Sequence, residues 1–194
     1  MTLKELNIIN FKNIAEATLT FTSGFNCFVG NNGVGKTNVL DAIYHLSMCK
    51  SYFNLPDLQN IRHEEPFFVV QGKYERGGEE LTVYCGVKRG QKKVFKKNQK
   101  AYDKLSEHIG LIPLVMISPE DFILIDGGSE ERRKLVDGII SQCDRVYLHR
   151  LIRYNKALTQ RNMLLKSAAG SRGLDSRPSD AGRAPHPRQR HTPD

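Results

Sequence analysis

Gly30-Asn31-Asn32-Gly33-Val34-Gly35-Lys36-Thr37 is the stretch whose residue types and spacing are suited to chemistry. It fits G-x-x-x-x-G-K-[ST], the phosphate-binding P-loop. Gly30, Gly33 and Gly35 allow positive φ and leave no Cβ between backbone and ligand. The loop N–H groups, aided by the positive end of a following helix dipole, can then converge on phosphate oxygens. Lys36 is the only side-chain cation of the loop and can reach β- and γ-phosphates as a mobile point charge. The Thr37 hydroxyl can complete the shell of Mg²⁺, an ion that keeps several waters and takes few protein ligands. The chemistry implied is capture of a nucleoside triphosphate. What the bound energy is used for is not written in the loop.

Such a loop needs a strand before it and a helix after it. Phe25-Asn26-Cys27-Phe28-Val29 is short and mostly apolar, which predicts a buried strand. Beyond the loop, Val39, Ala42, Ile43 and Leu46 recur at helical spacing with Asp41 and His45 between them, predicting a helix that ends near Met48 to Lys50. Upstream, Leu6, Ile8 and Phe11 predict a strand near Lys4 to Asn10, and Ala17, Leu19 and Phe21 alternate with polar residues as in a half-buried strand. Two pairing strands ahead of the P-loop strand set the chain apart from the small kinases and GTPases, where the loop follows the first strand.

With 194 residues, the chain is long enough for one domain with a real core. Its 39% hydrophobic and 26% charged residues place it among globular proteins, without an apolar run long enough for a membrane span or a signal-peptide core. Cys27, Cys49, Cys85 and Cys143 are scattered, as in reduced cytosolic proteins rather than zinc or disulfide scaffolds, and a cytoplasmic location is expected. The net charge of +8 suits a polyanionic partner.

Downstream, Ser51 to Glu65 reads as loop with a short helix. Phe67–Tyr74, Leu81–Val87 and Lys92–Phe95 read as an antiparallel meander, punctuated by Gly77-Gly78. Asp103 to Ile109 predicts a short helix and Leu114–Ile117 a buried strand, stopped by Ser118-Pro119-Glu120-Asp121. Ser129 is a credible N-cap for a helix whose apolar face is Leu135, Val136, Ile139 and Ile140. Asp144 can cap a last helix to about Lys166, in which Leu151, Leu158 and Leu165 sit seven apart, the start of a coiled-coil arm or an ordinary amphipathic helix. From Ser167 the composition turns to Ser, Ala, Gly, Arg and Pro, which cannot build a core. The domains expected are 1–143, 144–166 for the arm and a disordered 167–194. That tail reads as a frameshift or junction product unrelated to the body, or else as a basic tail that grips nucleic acid.

Several patches together resemble the N-terminal part of the RecF family. They are Phe11-Lys12-Asn13, Gly24-Phe25-Asn26, Val29 through Asn38, Ile61-Arg62-His63, Ser118-Pro119-Glu120-Asp121 with Gly128, Arg132-Arg133 and Asp137, and Gln160-Arg161-Asn162. The resemblance implies the first lobe of an ABC-type ATPase head, an α/β fold with a mixed sheet plus antiparallel meander, and the rising helix of an arm. It implies ATP and Mg²⁺ as cofactors, with the eight loop residues and Lys12 as nucleotide contacts and Thr37 at the metal. It implies recombinational repair and replication restart at gapped single- and double-stranded DNA, within the DNA-damage and SOS response. The implied partners are DNA, a second RecF, RecR and RecO, and no membrane.

The ABC signature segment and a Walker B strand followed by a second carboxylate are missing from the sequence. Phe122-Ile123-Leu124-Ile125-Asp126 ends in an acid but runs into Gly127-Gly128, and it is rejected as Walker B. No catalytic residue is assigned, and nucleotide binding with little turnover is expected. A P-loop small-molecule kinase or NTPase and a non-functional fragment are the competing readings. The basic cluster Lys88-Arg89, Lys92-Lys93, Lys96-Lys97 and Lys100, with Phe95 between, is either a DNA contact or a solvated hairpin. For Arg132 and Arg133 local pairing with Glu130 and Glu131 is favoured over DNA.

Overall fold

A computed structural model describes residues 1–172. Two compact units divide the described residues, one of Met1–Leu151 and one that begins at Ile152. The first is built on a six-stranded sheet of order β2-β1-β3-β4-β5-β6, every pairing antiparallel. Its strands are β1 (Thr2–Phe11), β2 (Ile14–Thr20), β3 (Phe67–Arg76), β4 (Glu79–Lys88), β5 (Val94–Lys97) and β6 (Lys100–Ala101). The alternation read from the sequence is the register observed: Leu6, Ile8, Phe68, Val70, Val83 and Cys85 all point to one face and are fully buried.

Helix α1 (Lys36–Met48) lies on that face with Val39, Ala42 and Leu46 against the strands. Close approach is possible because β3 carries Gly72, where an added Cβ would sit 2.8 Å from Leu46 Cδ1. Two polar residues of α1 are buried as well. Asp41 belongs to the site described below. His45 stacks edge-on against Phe11 and Phe68, and its Nε2 faces Asp57, itself paired with Lys93 at 2.8 Å. A 3-10 turn at Asp57–Asn60 and a second at Leu105–Glu107 stand where short helices were expected.

Two expected strands are absent. Phe25–Val29 belongs to no strand, with Phe25 fully exposed and Val29 92% exposed. Asn26 instead ties the segment into a turn, its side chain accepting from Thr22 N and donating to the Thr22 and Gly24 carbonyls. Leu114–Ile117 is likewise unpaired, with Ile117 83% exposed. Apolar sequence makes a strand only where another strand can satisfy its N–H and C=O groups, and none of the described strands pairs with these two segments.

Helices α2 (Ile123–Asp126), α3 (Ser129–Cys143) and α4 (Arg145–Arg172) follow. Gly128 rather than Ser129 is the N-cap of α3, and Leu135, Val136 and Ile139, expected to be buried, are exposed. Asp144 does cap α4, accepting from Val146 N and Tyr147 N. Disorder was expected from Ser167, yet α4 continues through Arg172. Ala168 and Ala169 favour the helix, and the Ser167 hydroxyl donates to the Leu164 carbonyl within it. The rest of the expected tail, 173–194, lies outside the described residues.

Candidate nucleotide-binding site

The β1–β2 turn, the glycine loop and the first turn of α1 come together at one place. Gly30, Gly33 and Gly35 have φ of 154°, 83° and 105°. At Gly35 the requirement for glycine is double: its φ is left-handed, and an added Cβ would meet Asn13 Oδ1 at 2.8 Å. Gly35 is the N-cap of α1, and Val39 N bonding to Gly35 O closes the first helical turn. The amides of Lys36, Thr37 and Asn38 precede that closure, so they belong to the orphan donors of a helix N-terminus, where the dipole favours an anion. Lys36 turns back over the loop, its Nζ donating to the carbonyls of Gly30 and Asn31 at 2.8 Å each. Thr37 is exposed at the head of the helix.

Asn13 holds the loop from outside. Its Nδ2 donates to Gly33 O at 2.7 Å, and its Oδ1 accepts from Asn38 Nδ2 at 2.7 Å. Sequence reading did not single Asn13 out for this, because its partners lie 20 and 25 residues away.

Lys12, expected near the nucleotide, is committed elsewhere in this structure. Its Nζ lies 2.7 Å from Asp41 Oδ2 and 4.7 Å from the centroid of the Phe53 ring. Asp41 is wholly buried and also accepts from Ser51 Oγ and Tyr52 N. The Tyr52 hydroxyl in turn donates to Asp121, which closes a capping box with Ser118. Burial and the Asp121 carboxylate together raise the Tyr52 pKa. One chain of polar contacts thus runs from Lys12 through Asp41 and Tyr52 to Ser118-Pro119-Glu120-Asp121.

The loop fits a triphosphate: it offers the open amides of a helix N-terminus, one ammonium group and no Cβ at Gly35. Among the described residues no group of three or more His, Cys, Asp and Glu is placed to hold a metal. A magnesium ion here would therefore take its other ligands from phosphate and water, with Thr37 as protein donor. An open cleft of about 850 Å³ adjoins the turn, lined by Lys12, Asn13, Ile61, Arg62, His63 and Arg89 among others.

Other expected functional residues are placed differently. Phe95 is buried and cannot stack on a base, and Lys93 is held by Asp57 and the Cys49 carbonyl. Arg132 donates to the Leu124 and Gly127 carbonyls and Arg133 to Ser129 Oγ, while Lys134 takes Glu130 and Glu131. Both arginines make local contacts, though with other partners than expected. Ile123–Asp126 is a helical turn rather than a strand, in keeping with its rejection as Walker B.

An antiparallel hairpin ahead of a P-loop, with a meander after its helix, defines an ATPase-head lobe. The AAA ATPase domain family matches residues 1–132, and the chain belongs to it. Over its N-terminal part the chain is similar to the DNA replication and repair protein RecF of Phocaeicola vulgatus, 61% identical over 168 residues, 86% of this chain and 45% of that protein. RecF of Parabacteroides distasonis is 58% identical over 166 residues, again 86% of this chain and 46% of that protein. The chain thus spans about half the length of the curated relatives it matches. Among solved structures, the recombination mediator protein RecF of the RecFOR pathway superposes with a TM-score of 0.81 at 34% identity over 92% of this chain and 47% of that chain. Its RecF-ATP structure gives 0.79 at 36% identity over 85% of this chain and 44% of that one. A structure from work on ATP-driven dimerisation of SMC ATPases shares the fold, with a TM-score of 0.58 at 19% identity over 72% of this chain and 99% of that one. The RecF resemblance and the ABC-type head fold read from the sequence both hold.

Proposed function

We propose that this chain is the nucleotide-binding first lobe of a RecF-type ATPase head that acts on DNA in recombinational repair and replication restart. The observation that carries it is the glycine loop closed onto the N-terminus of α1, with Lys36 turned into it. ATP is the nucleotide of one RecF structure that this chain resembles. The loop residues Gly30 to Thr37 receive its phosphates, and Thr37 supplies a protein oxygen to Mg²⁺. The cleft beside Lys12 and Asn13 is the adjoining volume for the nucleoside. Lys12 reaches the nucleotide only by leaving Asp41. Bound to this site, Mg²⁺ lowers the charge repulsion of the triphosphate. The residues of this lobe bind and orient the nucleotide, and little turnover is expected of them without a signature segment and a Walker B strand.

The domains follow the same reading: 1–143 is lobe I and 144–166 the base of an arm, in a helix that runs on through Arg172. The partners are gapped DNA, a second copy, RecR and RecO, and the compartment is the cytoplasm. No described helix is long and apolar enough to cross a membrane. Nucleotide-dependent DNA binding at two salt concentrations tests the reading. ATP-dependent affinity that falls with salt is expected, because phosphate contacts release counterions. DNA binding indifferent to ATP and to Lys36→Ala would overturn it.

A second reading, a non-functional fragment, is favoured by the exposure of Phe25, Val29, Val115 and Ile117. A circular dichroism melt decides between the two: a cooperative transition supports a functional lobe, and a gradual loss of signal supports the fragment.

A further inference from the structure

We propose that Asn13 is the positioning residue that sets the P-loop in its phosphate-receiving shape. The inference rests on the nucleotide reading of the loop and names a residue outside the glycine-lysine motif that governs it. Gly33 is free of side-chain restraint, with nothing within 4 Å of where its Cβ would be. Its carbonyl is fixed instead by the Asn13 amide at 2.7 Å. With that carbonyl held by Asn13, the plane of the peptide it shares with the Val34 amide is set, and the trans N–H points away from Asn13. The other end of the Asn13 side chain is anchored on Asn38 Nδ2, one turn into α1. One amide therefore fixes the distance between the loop and the helix that must act together on the phosphates.

Asn13 itself is rigidly presented. The turn before it is pinned by Lys12 N donating to Asn60 O at 2.8 Å and Arg62 N donating to Asn10 O at 2.8 Å. Lys12 has φ of 53°, a left-handed geometry that an L-residue holds only under such restraint. Aspartate at position 13 accepts from Asn38 but has no N–H for Gly33 O, and its charge opposes the phosphates. Alanine removes both contacts without adding charge.

The test uses the whole 194-residue chain and a fluorescent ATP analogue titrated in the presence of Mg²⁺. Asn13→Ala is expected to weaken binding about tenfold and Asn38→Ala about threefold, in line with the loss of two and of one net hydrogen bond. The double variant should be no weaker than Asn13→Ala, because Asn38 acts through Asn13. A merely structural role would lower the melting temperature and leave the affinity of the folded fraction unchanged. Affinity of Asn13→Ala within twofold of the parent, or losses that multiply in the double variant, would overturn the proposal. If Asn13→Ala does not fold, Asn38→Ala decides alone, and an unchanged affinity there counts against the inference. Lys36→Ala separates the two levels. If the parent chain binds, Lys36→Ala does not, and Asn13→Ala is normal, the nucleotide reading stands and only this inference fails. A parent chain that binds no ATP sinks both.

Discussion

Lys12 and Asp41 form an ion pair 2.7 Å apart in which the carboxylate is wholly shielded from water. The lysine belongs to the β1–β2 turn and the aspartate to the helix that follows the P-loop, so the pair fastens the two elements that flank the nucleotide loop. Removing the lysine leaves the carboxylate buried without its cation, held only by two hydrogen bonds.

Lys12→Ala is therefore expected to destabilise the chain by about 3 kcal/mol, the low end for a broken buried pair, because Ser51 and Tyr52 still bond to Asp41. Lys12→Met, which keeps the length of the stem but neither the charge nor the ammonium over the Phe53 ring, should recover little of it. Urea unfolding of the two variants checks this; a loss below about 1 kcal/mol, the range of exposed pairs, would show that the pair is not closed in solution.

Gly35→Ala should abolish ATP binding and lower stability by roughly 1–3 kcal/mol, the range for a side chain forced into a sparsely populated backbone region. The substitution adds a Cβ 2.8 Å from Asn13 Oδ1 at a φ of 105°. Equilibrium titration with ATP and a thermal melt report the two effects separately. Gly78→Ala, also at positive φ but with open space around it, should lose some stability and keep the affinity.

His108 gives the fold a pH dependence. It is buried, its Nε2–H donates to the Leu46 carbonyl at 2.6 Å, and Nδ1 faces the Tyr102 hydroxyl at 3.1 Å. Burial lowers its pKa below the ordinary 6.5, with Lys97 adding to the effect and the Leu46 bond opposing it. The unfolded chain then binds the proton first. Stability from this residue is complete above 6.5 and declines as the pH falls from there toward the lower folded value. The melting temperature should drop between pH 7.5 and pH 5.5, less so for His108→Gln, which can still donate to Leu46. Equal slopes for the two proteins would remove His108 as the cause.

The four thiols divide by burial. Cys27 and Cys143 are exposed, whereas Cys49 and Cys85 are buried. Burial pushes the Cys49 thiol up to about 12 and the Cys85 thiol well above its usual value, so neither forms thiolate near neutrality. A disulfide reagent at pH 8 should modify Cys27 and Cys143 in the native chain and the other two only after denaturation. Rapid modification of all four would mean that α1 does not stay packed on the sheet.

By itself, the sequence determined the loop, its ligand class and the meander. Those depend on short-range patterns: eight adjacent residues for the loop, and alternation along single strands for β1 to β5. It also revealed which residues of α1 face the sheet, since helical spacing is a local property. Only the tertiary structure decided what Lys12 and Asn13 touch, because their partners are set by how a hairpin, a turn and a helix meet rather than by spacing along the chain. It also decided that Phe25–Val29 and Leu114–Ile117 are not strands here. Apolar composition states a preference, but a strand exists only when a neighbouring backbone supplies its hydrogen bonds, and that neighbour is a fact of the fold.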